Sequence, residues 1–174
     1  MKKIVTTSLA ILLVLGISSQ TINTKDNKIN FKIRNVGLFV KGSFELLNAD
    51  IKIKDDDLLK SRFIFRLKSN SLNTKNQERD KEWMDTIYFF TNKFPEISFL
   101  SDTIREADGG YLISGKFRIK NRSMKIFIPV RVQKSKGKII YKGEFVIDRR
   151  DFDIAPSNMT LGNKMTFTFE IFTE

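Results

Sequence analysis

From Phe31 to the end of the chain, apolar residues recur at every second position. Tyr111, Ile113, Gly115, Phe117 and Ile119 alternate with Leu112, Ser114, Lys116, Arg118 and Lys120. Ile139, Tyr141, Gly143, Phe145 and Ile147 form a second such row, and Met165, Phe167, Phe169 and Ile171 a third. Phe63, Phe65 and Leu67 repeat the pattern against Arg62, Arg66 and Lys68. A period of two places successive side chains on opposite faces, so each row predicts a strand with one apolar face and one that tolerates charge. Weaker rows predict strands over 31–34, 38–44, 49–54, 97–101 and 124–132. Turn signals separate them at Asp55-Asp56-Asp57, Asp108-Gly109-Gly110, Lys136-Gly137 and Leu161-Gly162-Asn163.

One segment departs from this period. Residues 76–90 lack Gly and Pro, and Trp83, Met84, Ile87 and Tyr88 fall at i, i+1, i+4 and i+5. That spacing makes one face of a short helix at about residues 77–90, closed before Phe94-Pro95. The expected fold is therefore all-β: a single antiparallel β-barrel of about eight strands with one inserted helix. A barrel is preferred to a sandwich because closure removes exposed edges, and eight strands enclose room for side chains or one small ligand. Gly42, Gly115 and Gly143 lie on the inward parity, where a tight bend, a bulge or space for a ligand is expected.

The N-terminus changes the compartment expected. Met1-Lys2-Lys3, the apolar run from Leu9 to Ile17, and small Ser18 and Ser19 before a polar stretch follow the order of a secretory signal peptide. The run is shorter than the ~20 residues a spanning helix needs. An uncleaved anchor or a buried first strand is the alternative. Residues 1–19 are read as signal peptide, 20–28 as a flexible mature N-terminus and 29–174 as the barrel domain. The expected location is periplasmic or secreted.

Composition mostly excludes. The 174 residues contain no His and no Cys. This removes Ser-His-Asp and Cys-His nucleophile pairs, the usual zinc sites and any disulfide framework. An enzyme is not expected, and no cofactor is implied. The 31 Lys and Arg against 20 Asp and Glu give a formal charge of +11. Such a balance allows an anionic membrane surface as a peripheral partner, although much of the Lys reads as a solvated outer face. Nucleic acid is not an expected partner. Asp148, Asp151 and Asp153 sit close together, but two Arg interrupt them and no bidentate Glu follows, so no metal is assigned. Arg79-Asp80 reads as an ion pair or a cap at the start of the helix.

Five segments in constant order resemble the YceI-like polyisoprenoid-binding family. They are Phe31-Lys-Ile-Arg-Asn35-Val-Gly37 through Val40, Gly42 and Phe44; Arg79-Asp80 through Phe89, Phe94-Pro95, Ile97 and Phe99; Tyr111-Leu-Ile-Ser-Gly115-Lys-Phe117; Arg150-Asp151-Phe152; and Leu161-Gly162-Asn163-Lys164-Met165. Asn35 and Glu82 stand where that family often carries His, and 118–125 replaces its usual Gly-containing turn. The resemblance implies a lipocalin-like barrel holding a long apolar lipid, an isoprenoid or a fatty acid or amide, in its lumen. The wall so implied coincides with the inward parity: Phe31, Ile33, Val40, Phe63, Phe65, Phe99, Tyr111, Phe117, Tyr141, Phe145, Phe167 and Phe169. These rings equally suit a close-packed core. Homodimerisation stays open.

Overall fold

The alternating rows assemble into one antiparallel sheet in the computed structural model, which describes residues 17–20, 22, 27–54, 57–135, 137–157 and 160–173. In chain order the elements are β1 (Ile17–Gln20), β2 (Lys28–Asn35), β3 (Leu38–Lys54), β4 (Asp57–Asn73), α1 (Gln77–Met84), β5 (Glu96–Ala107), β6 (Gly110–Ile119), β7 (Arg122–Ser135), β8 (Lys138–Asp148) and β9 (Leu161–Thr173). A 3₁₀ turn, Arg149–Phe152, joins β8 to β9. Strands β2 to β9 pair in the order β3-β2-β9-β8-β7-β6-β5-β4, and β3 also pairs with β4, closing an eight-stranded barrel. β1 lies outside the ring, pairing only with residues 51–54 of β3. Residues 1–16 of the expected signal segment 1–19 lie outside the described residues, as do 21 and 23–26 of the expected flexible stretch. Within that stretch Ile22 bridges to Thr173, and buried Asn27 accepts a hydrogen bond from Phe172 N at 3.0 Å.

Three expectations are corrected. The rows at 38–44 and 49–54 are one strand of 17 residues. β3 pairs with β2 through Glu45, then runs on along β4, and a register shift between Leu46 and Asn48 breaks the apolar period without ending the strand. Leu161-Gly162-Asn163 is not a turn but the start of β9; Leu161 is buried and pairs with Asn35. The helix ends at Met84 rather than near residue 90. Asp85 turns its carboxylate onto Thr86 N at 2.6 Å, a local bond that competes with the helix. The chain beyond it folds back so that Phe89 meets Phe44 edge-on at 5.4 Å.

Antiparallel succession sorts the connections between the two ends of the barrel. At one end lie the β2–β3 turn, the α1 segment, the β6–β7 turn and the 3₁₀ segment. Trp83, Phe89 and Phe152 plug that end, each almost wholly buried. Trp83 lies 6.2 Å from Phe31, and Phe152 stands edge-on to Phe117 at 5.7 Å. Asn76 caps α1 by accepting from Arg79 N at 3.0 Å. Arg79 and Asp80 both converge on Thr74: Arg79 Nε donates to Thr74 Oγ1 at 2.8 Å, and Asp80 accepts from Thr74 N at 2.8 Å.

Candidate functional site: the barrel lumen

Ten of the twelve wall candidates are buried, and Val40 and Tyr111 are half-buried. Nine of their rings form two aromatic groups stacked along the barrel axis, whereas Val40 and Tyr111 line grooves at opposite ends of the barrel. Nearer the far end, Tyr141 meets Phe63 edge-on at 5.4 Å, and Phe65 lies 6.1 Å from both Phe63 and Phe169 and 6.4 Å from Phe99. Nearer the plug, Phe145 stacks on Phe167 at 5.2 Å, Phe117 stands edge-on to both, and Phe31 joins Phe167 to Trp83. Ile33 pairs with Met165 beside this second group.

Between the groups is an apolar cavity of about 30 Å³. Phe65, Phe99, Phe117, Phe145 and Phe169 line it, with Ile29, Leu67, Ile97, Ser98 and Ile128. Seven of the eight barrel strands contribute, so the cavity lies on the axis. Ile29, Leu67 and Ile97 extend the wall beyond the residues expected from sequence, each on the parity of an expected neighbour: Phe31, Phe65 and Phe99.

The inward glycines explain how so many rings fit. A Cβ at Gly115 would lie 2.7 Å from Phe99 Cε2, one at Gly143 2.5 Å from Phe169 Cζ, and one at Gly42 2.7 Å from Phe31 Cε1. Each ring packs against a glycine of a neighbouring strand. The glycines therefore make room for wall rings, and beside Gly115 the β5–β6 register also shifts between Ser101 and Thr103.

Among the described residues that line the cavity none is charged. Among the described residues the buried charged side chain is Arg149, which lies in the 3₁₀ segment. Its guanidinium donates to five carbonyls: Gly162 at 3.0 Å, Ile154 and Ala155 at 2.7 Å each, Pro156 at 3.2 Å and Leu161 at 3.1 Å. Burial pulls its pKa down from the ordinary value. Asp148 beside it accepts from Arg150 Nη2 at 2.7 Å, and this bond holds its carboxyl far below the usual range. Among the described residues no group of three carboxylates could hold a metal. Glu82 instead accepts from Tyr88 OH at 2.9 Å, and Lys120, in the turn without glycine, takes φ 54.

Two surface grooves approach the lumen. At the far end, β4 and β5 pair only from Ile64↔Leu100 to Lys68↔Glu96. Where they part, a groove of about 390 Å³ opens, lined by Leu58, Tyr111, Val132, Ile139 and Tyr141 with Asp57, Glu106 and Lys134 at its rim. At the plugged end, a groove of about 730 Å³ lies between the β2–β3 hairpin and the start of α1.

The sequence pattern of the YceI-like domain matches residues 20–172. A UPF0312 protein of Vibrio parahaemolyticus is 28% identical over 118 residues, 64% of this chain and 62% of its own length. One from Photorhabdus laumondii is 27% identical over 88 residues, 50% of this chain and 46% of its own. The chain thus spans about half to three fifths of the curated relatives it matches. Among solved structures, BcnA of Burkholderia cenocepacia superposes with a TM-score of 0.83 at 16% identity, covering 88% of this chain and all of BcnA. A polyisoprenoid binding domain from Saccharophagus degradans, implicated in plant cell wall breakdown, gives 0.71 at 14% identity over 91% of this chain and 99% of that domain. The YceI protein of Campylobacter jejuni gives 0.65 at 21% identity over 99% of this chain and 93% of its own. At these identities the structural likeness establishes the barrel.

Proposed function

The chain belongs to the YceI-like domain family, and from that premise we propose that it is an exported, non-enzymatic lipid-binding barrel. It holds a long apolar chain, isoprenoid or fatty acyl, in the lumen for transport, storage or sequestration. The observation that carries this reading is the uncharged axial cavity, lined from seven strands by rings and aliphatic side chains. The polyisoprenoid named for the Saccharophagus domain supports the ligand class. The basic start, apolar run and small residues of the N-terminus support export. Closure of β2–β9 does not use β1, so cleavage near residues 18–20 leaves the ring intact.

The size of the cavity sets a condition on the ligand. About 30 Å³ holds little more than a water, whereas ligand pockets measure ~300–1,000 Å³. A chain must displace rings to enter. Losing three ring contacts costs up to ~4 kcal/mol, and each buried CH₂ returns about 0.8 kcal/mol. Roughly five methylenes offset the displaced rings alone, the cost of association comes on top, and affinity strengthens with each further methylene. The test is native mass spectrometry of protein purified from cells, then a thermal-shift series with alcohols of increasing chain length. A co-purifying lipid and a melting temperature that rises only with long chains are expected. A bare mass and no shift with any chain would overturn the reading. They would favour a filled structural or interaction barrel, the second reading, which the small cavity also supports.

A further inference from the structure

The β2–β3 hairpin presents an apolar tip on a basic stem. Its two-residue turn, Val36-Gly37, has positive φ at both positions, 48° and 80°. Such turns favour Asn-Gly, and a β-branched residue there is a backbone outlier. Strain of this kind persists where surrounding structure or function holds it, and here Val36 N is anchored on Thr160 O at 2.7 Å. Val36 is 73% exposed, Leu38 76% and Phe39 58%, three large apolar side chains within four residues. Folding would hide such a cluster if nothing else covered it.

The stem supplies the complementary chemistry. Residues 30–43 contain Lys32, Arg34 and Lys41 and no Asp or Glu. Lys32 and Lys41 are directly opposite each other on the outer face, an unfavourable like-charge pairing until an anion lies against it. Arg34 sits over the Phe39 ring at 5.3 Å, so one cation is held at the level of the apolar tip. The neighbouring groove continues the surface: Leu38 and Phe39 line one side, and Lys75 and Arg79 stand on the other.

We propose that this hairpin docks the protein on an anionic phospholipid surface, with Val36, Leu38 and Phe39 entering the acyl boundary and Lys32, Arg34 and Lys41 meeting the headgroups. An apolar tip beside cations is what an interfacial anchor requires, since each basic side chain adds attraction to an anionic surface and the apolar side chains add burial. The docking does not depend on what the lumen holds.

The test is co-sedimentation of the purified full chain with vesicles of phosphatidylcholine alone or with one third phosphatidylglycerol. Parent and variants share one N-terminus, so differences among them report the hairpin. Lys32→Gln with Lys41→Gln should weaken binding to anionic vesicles about thirtyfold and leave neutral vesicles unaffected. Leu38→Ser with Phe39→Ser should weaken it about a hundredfold. These positions are exposed, and unchanged near-ultraviolet dichroism of buried Trp83 checks that both variants fold. Lipid extracted from the variants should match that from the parent, which separates docking from lumen binding. Parental affinity of both variants for anionic vesicles would overturn the proposal. So would self-association lost in Leu38→Ser/Phe39→Ser, which would assign the tip to a second copy of the chain.

Discussion

At Gly115 the absence of a side chain decides how a neighbouring ring packs. A Cβ there would press on Leu100 O and on the Phe99 ring 2.7 Å away, and the backbone oxygen has no rotamer to escape into. Gly115→Ala should therefore lower stability by ~1–3 kcal/mol, read as a fall in the urea midpoint at unchanged m-value. Equal stability would mean that the ring is not seated over the glycine. Asp148 is the other position where one residue's chemistry is legible. Its carboxylate is bonded by Arg150 and faces Lys164 at 3.6 Å, and its folded pKa lies far below the unfolded value of ~3.9. A depressed carboxyl contributes stability that is complete well above that value and is lost as pH falls toward the folded pKa. Asp148→Asn keeps a capping oxygen for Arg150 N but loses the charge. It should destabilise at pH 7, and the difference from the parent should shrink below about pH 4. A difference that stays constant down to pH 2 would show that charge is not the cause.

Among the elements, the 3₁₀ segment and the strand that follows depend on one cation. β7 pairs with β8 only from Val130↔Gly143 to Ser135↔Lys138. The 3₁₀ segment packs against both strands and β9, and Asp153 pairs with Arg122 at 2.6 Å. Arg149 holds this segment by its five carbonyls, and Ala155 N then reaches Ile87 O at 2.6 Å in the plug. Lysine keeps the charge but cannot reproduce the planar fork, and it leaves buried carbonyls without donors. Arg149→Lys should cost about 3 kcal/mol or more and raise hydrogen exchange over 154–157 and 160–163 first. Stability within 1 kcal/mol of the parent would show the fork to be dispensable.

For the whole molecule the absence of His sets the pH response. No unperturbed side chain changes charge between about pH 5 and 8, and the described residues lining the cavity are uncharged. Affinity for a neutral long-chain lipid, followed by fluorescence competition, should be flat across that range. A lipid phosphate carries its own second pKa near ~6 and would bind more tightly as pH rises, and a fatty acid more tightly as it falls. The sign of any slope thus reports the head group. A steep slope with a neutral prenol or fatty amide would contradict an uncharged wall.

Alternation along the chain was enough to predict an all-β barrel and the inward face of its strands, because side-chain parity in a strand is a local property. Parity picked out Phe65, Phe99, Phe117, Phe145 and Phe169, and each lines the axial cavity. What parity cannot carry is which strands meet. The joining of two short rows into β3 depends on where β4 takes over from β2 as its partner, and the start of β9 at Leu161 depends on Asn35, far away in sequence. Arg149 gave no signal beyond a charge cluster, since its ligands are carbonyls that any residue could supply. Whether twelve inward residues make a filled core or a pore is likewise a matter of volume: rings seated over glycines of adjacent strands leave about 30 Å³, and only their placement in three dimensions determines that remainder.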